Sequence, residues 1–287
     1  MPILKAVTTM TTTTRNGPSR KWAKFSIYVT LDIEVVVFDP TKYQVIWTSE
    51  ICLHDIDKRS ACLSADVQDG GDCSGIVMVV AFFKHAGNTI SIFWGSGTVI
   101  EDNTVLTVAH NIYHREYGTA VAITIYRDYR ADPDHTDYYH VNSSYVPASS
   151  AKSYLPRDDF AILHVERPFS IEVKRMPYVT TPIETQIQTA VCSIARDLKG
   201  LEGQSTVARS NGDAKYDLNR GTVLHNGSTV KGASGGPLVN ERDEVIGVHR
   251  GWHENKLTCE KTNEAVAIGL HGNDVGRFIE VARTFHK

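Results

Sequence analysis

One serine of this chain lies in a glycine-rich segment, residues 231–239 (KGASGGPLV), directly before a strand-like apolar run. Glycines on both sides permit a tight backbone path, so the segment could present the Ser234 hydroxyl as a nucleophile. The N–H groups of Gly232 and Ser234 could then converge on one point and stabilise an oxyanion. Taken alone, the glycine content is more typical of an ordinary turn between two strands. A catalytic serine therefore requires a base and an orienting acid elsewhere in the chain.

Two other segments contain a candidate base and a candidate acid. An alternating segment, TVLTVA, predicts a strand that ends at His110, and an imidazole suits general-base chemistry near neutral pH. Asp159 stands directly before an apolar run, where a carboxylate could orient the imidazole, and Asp158 is expected to be its solvated neighbour. Each residue alone could equally be structural, as a histidine at a strand end or an aspartate in a turn. The order His110, Asp159, Ser234, each at a strand edge, favours a catalytic triad.

The composition is that of an ordinary globular protein. Charged residues make up 22% of the chain, hydrophobic residues 41%, and the formal net charge is -3. A chain with this balance and no basic tail is not expected to bind nucleic acid. The longest apolar run, residues 76–83, is far shorter than the roughly 20 residues of a membrane-spanning helix, so no membrane partner is expected. The five cysteines have no C-x-x-C spacing and leave one over if the others pair, so they specify neither a metal site nor a compartment.

Short predicted strands separated by turn signals occupy most of the chain. This rhythm favours an antiparallel barrel or sandwich over a βαβ architecture, which would need helical patterns between the strands. The only clear helix is at the C-terminus, where apolar residues between 275 and 282 fall on one face and Asn273 or Asp274 can cap it. The predicted strands are Ile76–Phe83, Thr89–Trp94, Gly97–Ile100, Val105–Ala109, Ala120–Tyr126, Phe160–Val165, Thr189–Ile194, Gly221–Leu224, Pro237–Val239, Val245–His249 and Ala265–Gly269.

Residues 1–73 are predicted to form an extension ahead of a domain at 74–287. Alternating apolar residues, a turn and a return strand predict a β-hairpin over residues 25–53, followed by a polar linker. The hairpin could be a pro-segment, an extra sheet on the domain or a docking element. The linker pair Lys58-Arg59 could be a processing site, although a solvated basic pair is the simpler interpretation. The start of the chain lacks the apolar core of a secretory signal, which leaves an incomplete N-terminus and an intracellular protein both open.

The three motifs together resemble the triad blocks of chymotrypsin-like serine peptidases. The blocks are TVAH ending at His110, DFAIL beginning at Asp159, and GASGGP around Ser234, and the resemblance covers roughly residues 74–287. It implies an all-β fold of two perpendicular, six-stranded antiparallel barrels, with His110 and Asp159 on the first and Ser234 on the second. It also implies acyl transfer, in which His110 deprotonates Ser234, Asp159 orients His110, and the N–H groups of Gly232 and Ser234 form the oxyanion hole.

Within that family, two segments resemble the glutamyl endopeptidase, or V8-like, branch. These are residues 240–249 (NERDEVIGVH) and the pair Ser228-Thr229. The resemblance implies that Thr229 and His249 hold the glutamate side chain of a substrate, since an imidazole and a hydroxyl can bind a carboxylate. His249 could also be a plain core histidine. Ala233 and Ser228 stand where trypsin-like enzymes have aspartates, so neither a trypsin-like activation switch nor cleavage after Lys or Arg is expected.

The motifs and the resemblance together predict a serine endopeptidase, and the resemblance to the glutamyl endopeptidase branch implies a preference for glutamate or aspartate before the scissile bond. We expect a monomer with a protein or peptide substrate, and neither a metal nor an organic cofactor. The family resemblance favours secretion, whereas no signal peptide is visible. The alternative function is a catalytically weak or inactive module of the same fold that binds acidic peptides through His249 and Arg250.

Overall fold

The computed structural model describes most of the chain from Cys73 onward. The described residues are 73–84, 89–128, 137–147, 150, 155–179, 186–196, 205–229, 231–254, 261–268 and 275–284, together with three short strands nearer the N-terminus. Within these ranges no helix is long and apolar enough to cross a membrane.

The described elements are predominantly strands. In chain order they are β1 (Ile27–Thr30), β2 (Gln44–Trp47), β3 (Gln68–Asp69), β4 (Ile76–Lys84), β5 (Thr89–Glu101), β6 (Thr104–Thr107), β7 (Tyr113–His114), β8 (Gly118–Thr119), β9 (Ala122–Asp128), β10 (Asp137–Pro147), β11 (Ala161–Val165), β12 (Gln186–Arg196), β13 (Ser205–Asp217), β14 (Thr222–His225), β15 (Pro237–Val239), β16 (Val245–Glu254), β17 (Lys261–Ala267) and helix α1 (Val275–Thr284).

Six antiparallel strands close into a first barrel. Their order is β10-β11-β6-β5-β4-β9, and β9 pairs back onto β10. Strand β4 is buried on both faces, which explains its continuous apolar run. Its odd-numbered residues, such as Val77 and Val79, lie in the core of this barrel. Its even-numbered residues, such as Met78 and Val80, join the larger cluster that also contains the core of the second barrel.

A second barrel is built in the same way. Its order is β12-β15-β16-β17-β14-β13, and β12 and β13 close it by pairing from Gln186↔Lys215 to Arg196↔Ser205. All of its strand pairs are antiparallel. The predicted fold class of two six-stranded antiparallel barrels is therefore confirmed.

The sequence pattern does not predict two of the barrel strands. Strands β10 (DYYHVNSSYVP) and β13 (STVARSNGDAKYD) contain many Ser, Asn, Asp and Gly residues, which have low strand propensity. Both form because neighbouring strands on two sides satisfy their backbone groups. The predicted strands 89–94 and 97–100 are in fact one continuous strand, β5.

The predicted N-terminal hairpin lies largely outside the described residues. Its two described strands pair with the first barrel rather than with each other: Val29 of β1 lies opposite Tyr145 of β10, and β2 runs parallel to β5 with Val45 opposite Ile90. Of the three roles considered for this segment, these pairings match an extra sheet on the first barrel. Strand β3 adds to β13 of the second barrel. The Lys58-Arg59 pair lies outside the described residues.

The C-terminal helix packs as its pattern predicts. Its apolar positions Val275, Phe278, Ile279 and Ala282 are all buried. The ring of Phe278 meets that of Phe160 edge-on at 5.0 Å, next to the candidate acid Asp159. The predicted cap residues lie outside the described ranges, so the capping of this helix stays a prediction.

A disulfide bond joins the two barrels. It links Cys73, just before β4, to Cys192 in β12 across a sequence separation of 119, and both residues are buried. Closing a loop of this length restricts the unfolded chain, an effect worth about 4–5 kcal/mol in the chain-entropy account. The other three cysteines, at positions 52, 62 and 259, lie outside the described residues.

Candidate active site

His110 and Asp159 form a hydrogen-bonded pair. Strand β6 ends at Thr107, and His110 lies in the 3-10 turn that follows. Its Nδ1 lies 2.8 Å from Oδ2 of Asp159, and its backbone N–H donates to Oδ1 at 3.0 Å. Two contacts to one carboxylate fix both the ring and its backbone, so Nδ1 carries the proton and Nε2 faces away as the basic nitrogen.

The Asp159 carboxylate is ionised despite its burial. Burial on its own raises the pKa of a carboxyl, but the charge and hydrogen bond of His110, the Arg250 guanidinium and the His110 backbone N–H together lower the pKa of Asp159 to about 2. Asp158 is buried as well, with 9% of its surface exposed. The prediction of a solvated Asp158 is therefore wrong, because its 3-10 turn packs against β17.

The turn that carries Ser234 depends on two of its glycines. Gly232 has φ 86° and Gly235 has φ 92°, a region that disfavours every residue with a Cβ. At Gly235 a Cβ would also lie 2.0 Å from the carbonyl oxygen of Ser96. The turn is bonded to β16, because Gly235 N–H donates to the carbonyl of His249 at 2.7 Å. Glycine is thus required for the close approach of the two barrels at this point.

The first barrel holds the backbone of Ser234 directly. The Ser234 carbonyl accepts from the N–H of Ser96 at 2.7 Å and from Nδ2 of Asn111 at 3.0 Å. The Ser96 hydroxyl donates to the carbonyl of Gly232 at 2.6 Å. Asn111 follows His110 in the same turn, so the segment bearing the serine and the segment bearing the histidine are joined through one intervening side chain.

The N–H groups proposed for an oxyanion hole belong to this turn. Across the described residues, neither Gly232 N–H nor Ser234 N–H donates to a backbone carbonyl. The next two amides along the turn do have such partners: Gly235 N–H donates to the carbonyl of His249 at 2.7 Å and Gly236 N–H to the carbonyl of Ala233 at 2.9 Å. The oxyanion hole formed by Gly232 and Ser234 stays a prediction.

The two residues predicted to bind glutamate make separate contacts. The Thr229 hydroxyl donates to Oδ1 of Asn263 at 3.3 Å, and Nδ2 of Asn263 donates to the carbonyl of Gly227 at 2.7 Å. His249 is buried on β16, and its Nδ1 lies 3.1 Å from Nε2 of His225 on β14. The imidazole pair and the Thr229 segment are thus anchored to neighbouring strands of the second barrel.

The His225–His249 pair has a preferred proton arrangement. Burial lowers the pKa of His225 to about 4, so this ring is neutral near pH 7. Within the described part of the chain, Nδ1 of His225 has no hydrogen-bond partner. A buried orphan N–H is rarer than an orphan acceptor, so we assign the His225 proton to Nε2, which donates to His249. His249 then carries its own proton on Nε2, as a donor.

Sequence reasoning missed several residues of this site. Ser96, Asn111, His225 and Asn263 lie far from one another in sequence, and their local patterns are those of ordinary strand or turn residues. Only Asn111 had a usable signal, as the residue directly after the candidate base. Over the described residues, no group of three or more His, Cys, Asp or Glu side chains is arranged to hold a metal ion.

Comparison with protein families and curated sequences gives a consistent assignment. The family model described as Trypsin matches residues 78–271. The glutamyl endopeptidase of Staphylococcus epidermidis is 26% identical over 166 residues, which is 56% of this chain and 55% of that protein. The chain therefore spans about half the length of the curated relatives it matches.

Solved structures share the fold. A Glu endopeptidase in complex with MPD superposes with a TM-score of 0.60 at 15% identity, over 77% of this chain and 96% of the other. The scabies mite inactivated protease paralogue S-I1 superposes with a TM-score of 0.54 at 17% identity, over 75% of this chain and 99% of the other. At these identities the likeness concerns the fold alone.

Proposed function

Because this chain belongs to the trypsin family of serine proteases, we propose that it is an endopeptidase that cleaves peptide bonds through an acyl-enzyme. The observation that carries the proposal is the 2.8 Å contact of His110 Nδ1 with Asp159, on a turn that also holds the carbonyl of Ser234 through Asn111. An oriented base on a turn that is bonded to the backbone of a serine supports nucleophilic catalysis, which requires a base and a nucleophile held in one frame.

The proposed reaction has two stages. Ser234 Oγ attacks the peptide carbonyl while Nε2 of His110 takes its proton, and the carbonyl oxygen becomes an oxyanion facing the N–H groups of Gly232 and Ser234. His110 then gives the proton to the leaving amine, which departs as the ester forms. Water next attacks the ester, again with His110 as base, and the acid product leaves with Ser234 restored. Each oxyanion donor contributes roughly 3 kcal/mol in such sites.

Covalent labelling tests whether the serine is activated. A fluorophosphonate probe is expected to form one Ser234 Oγ–P bond with loss of fluoride, detected by intact mass and peptide mapping, because only a deprotonated serine displaces the fluoride quickly. Ser234→Ala should stay unlabelled, whereas Ser228→Ala, in the same region of the second barrel, should label like the wild type. A folded wild-type protein that stays unlabelled would contradict an activated Ser234 and favour the catalytically inactive alternative.

The proposal extends to substrates with glutamate, or aspartate, before the scissile bond. Support comes from the neutral His225, which orients His249 as a donor, and from the likeness to glutamyl endopeptidases. Thr229 supplies a hydroxyl on the adjacent segment. A neutral imidazole and a hydroxyl can bind a carboxylate without burying a permanent cation.

Peptide substrates that differ only at the cleaved position test this pocket. Wild-type protein should cleave after Glu with a higher kcat/KM than after Phe. His249→Leu should lower kcat/KM for the Glu peptide about 10- to 100-fold, the loss of a hydrogen bond to a charged group, and leave the Phe peptide little changed. His140→Leu, which removes an imidazole from β10 of the first barrel, serves as the control. Equal wild-type cleavage after Glu and Phe would contradict the pocket while leaving the triad proposal intact.

A further inference from the structure

Arg250 contacts the candidate catalytic acid from the opposite barrel. Its Nε donates to Oδ2 of Asp159 at 3.2 Å, the same oxygen that lies 2.8 Å from Nδ1 of His110. Asp159 precedes β11 of the first barrel, whereas Arg250 belongs to β16 of the second. The Arg250 side chain is 22% exposed, so the ion pair is shielded from most solvent.

A buried carboxylate holds Arg250 on its other side. Nη1 of Arg250 donates to Oε2 of Glu264 at 2.7 Å, and Glu264 is fully buried. Its other oxygen accepts from Arg220 and from Thr222, each at 3.0 Å. Carboxylates and guanidiniums therefore alternate in the order Asp159, Arg250, Glu264 and Arg220, so each of these charges has a partner of opposite sign. A guanidinium fixed between two carboxylates is not available to bind an acidic peptide, which weakens the alternative function suggested for Arg250.

We propose that Arg250 is a positioning residue of the active site, which orients Asp159 toward His110 and offsets part of its negative charge. This inference rests on the triad proposed above. The planar guanidinium suits the task because its separate N–H groups reach two carboxylates in a fixed geometry, which a flexible ammonium does not reproduce.

The position of Arg250 on β16 gives it a geometric effect. The preceding residue, His249, is bonded to the serine turn in both directions: it accepts from Gly235 N–H at 2.7 Å and donates to the carbonyl of Gly236 at 2.8 Å. One strand therefore fixes the turn that carries Ser234 and, one residue later, the acid that orients the base. Loss of Arg250 would remove the contact that holds Asp159 to strand β16.

Arg250 also has an electrostatic effect. A cation beside Oδ2 weakens the attraction that Asp159 exerts on a protonated imidazole, so removal of the cation should strengthen that attraction. Behind Arg250 lie Glu264 and Arg220, and Asp158 neighbours Asp159 in the chain. The other ionisable groups on the elements packed against the His110 turn are Lys84 on β4, Glu101 on β5, and Tyr113 and His114 on β7.

The pH dependence of kcat/KM tests the proposal. In Arg250→Gln, the acidic limb of the kcat/KM profile is expected to move to higher pH by about half a unit to one unit. The maximal kcat/KM at the plateau is expected to fall about tenfold. Arg250→Lys keeps the charge and should return the limb to its wild-type position with a plateau still below that of the wild type. If Arg250→Gln fails to fold because the buried Glu264 carboxylate loses a partner, the same pH dependence is measured on the double variant Arg250→Gln/Glu264→Gln, in which both charges are removed.

Arg220→Gln is the matched control. It removes a cation from the same buried Glu264 without touching Asp159, so it should lower the Tm while the acidic limb stays in place. A folded Arg250→Gln protein whose pH profile superposes on that of the wild type would overturn the proposal, as would an equal shift in Arg220→Gln. Failure of the triad itself would look different, because Asp159→Asn would then retain wild-type kcat.

Discussion

Ser234→Ala is expected to lower kcat by about 10⁶-fold, because it removes the oxygen proposed to form the acyl-enzyme and keeps the proposed oxyanion donors and the binding surface. The measurement is steady-state hydrolysis of a glutamate-containing peptide, with enzyme concentration fixed by absorbance and folding checked by circular dichroism. Residual hydrolysis above the rate in water should persist, since backbone N–H groups still stabilise the tetrahedral intermediate.

The size of this loss distinguishes a nucleophile from a structural serine. Ser234 is only partly buried and its backbone carbonyl, not its hydroxyl, makes the contacts to Ser96 and Asn111. Alanine should therefore leave those contacts and the Tm nearly unchanged. A variant that kept even a tenth of wild-type kcat would exclude Ser234 as the nucleophile.

Asp159→Asn is expected to lower kcat by about 10⁴-fold. An asparagine presents an amide where the imidazole Nδ1–H needs an acceptor, and it removes the charge that stabilises the imidazolium during catalysis. The change should lower kcat more than it raises KM, because the role proposed for Asp159 is in the transition state rather than in ground-state binding. Steady-state kinetics at the wild-type pH optimum measures both.

Asp158→Asn provides the comparison for this experiment. Asp158 is the neighbouring buried acid, and the imidazole of His110 bonds to Asp159 rather than to it. We expect Asp158→Asn to keep kcat within a few-fold of the wild type. Equal losses in the two variants would mean that the effect is structural and not specific to the orientation of His110.

The sequence predicts those parts of this protein that are encoded locally. The triad candidates each stand in a short motif beside a strand, and the structure brings His110 and Asp159 into contact. Strands with alternating or continuous apolar residues, such as β4, are equally readable. Strands β10 and β13 are not, because their polar residues become strands only when the barrels close around them.

The residues that hold the candidate catalytic residues in place also cannot be predicted from the sequence. The sequence suggests Arg250, which contacts Asp159, only as a binder of acidic peptides. Nothing in the local sequence indicates that Glu264 contacts Arg250 or that Ser96 contacts the Ser234 carbonyl. In the sequence alone these residues look like ordinary strand residues, because their contacts form only when the barrels fold and dock. Their roles depend on three-dimensional juxtaposition, which no spacing in the chain encodes.

The hydrogen bonds that Ser96 and Asn111 make to the Ser234 carbonyl cross from one barrel to the other. A chain with only one folded barrel would lack either these donors or the turn that they hold. The serine is therefore aligned only when the barrels dock. The proposed hydrolytic activity therefore requires the complete two-barrel structure, in which the chain's own segments are no longer in the unfolded state that is most easily digested.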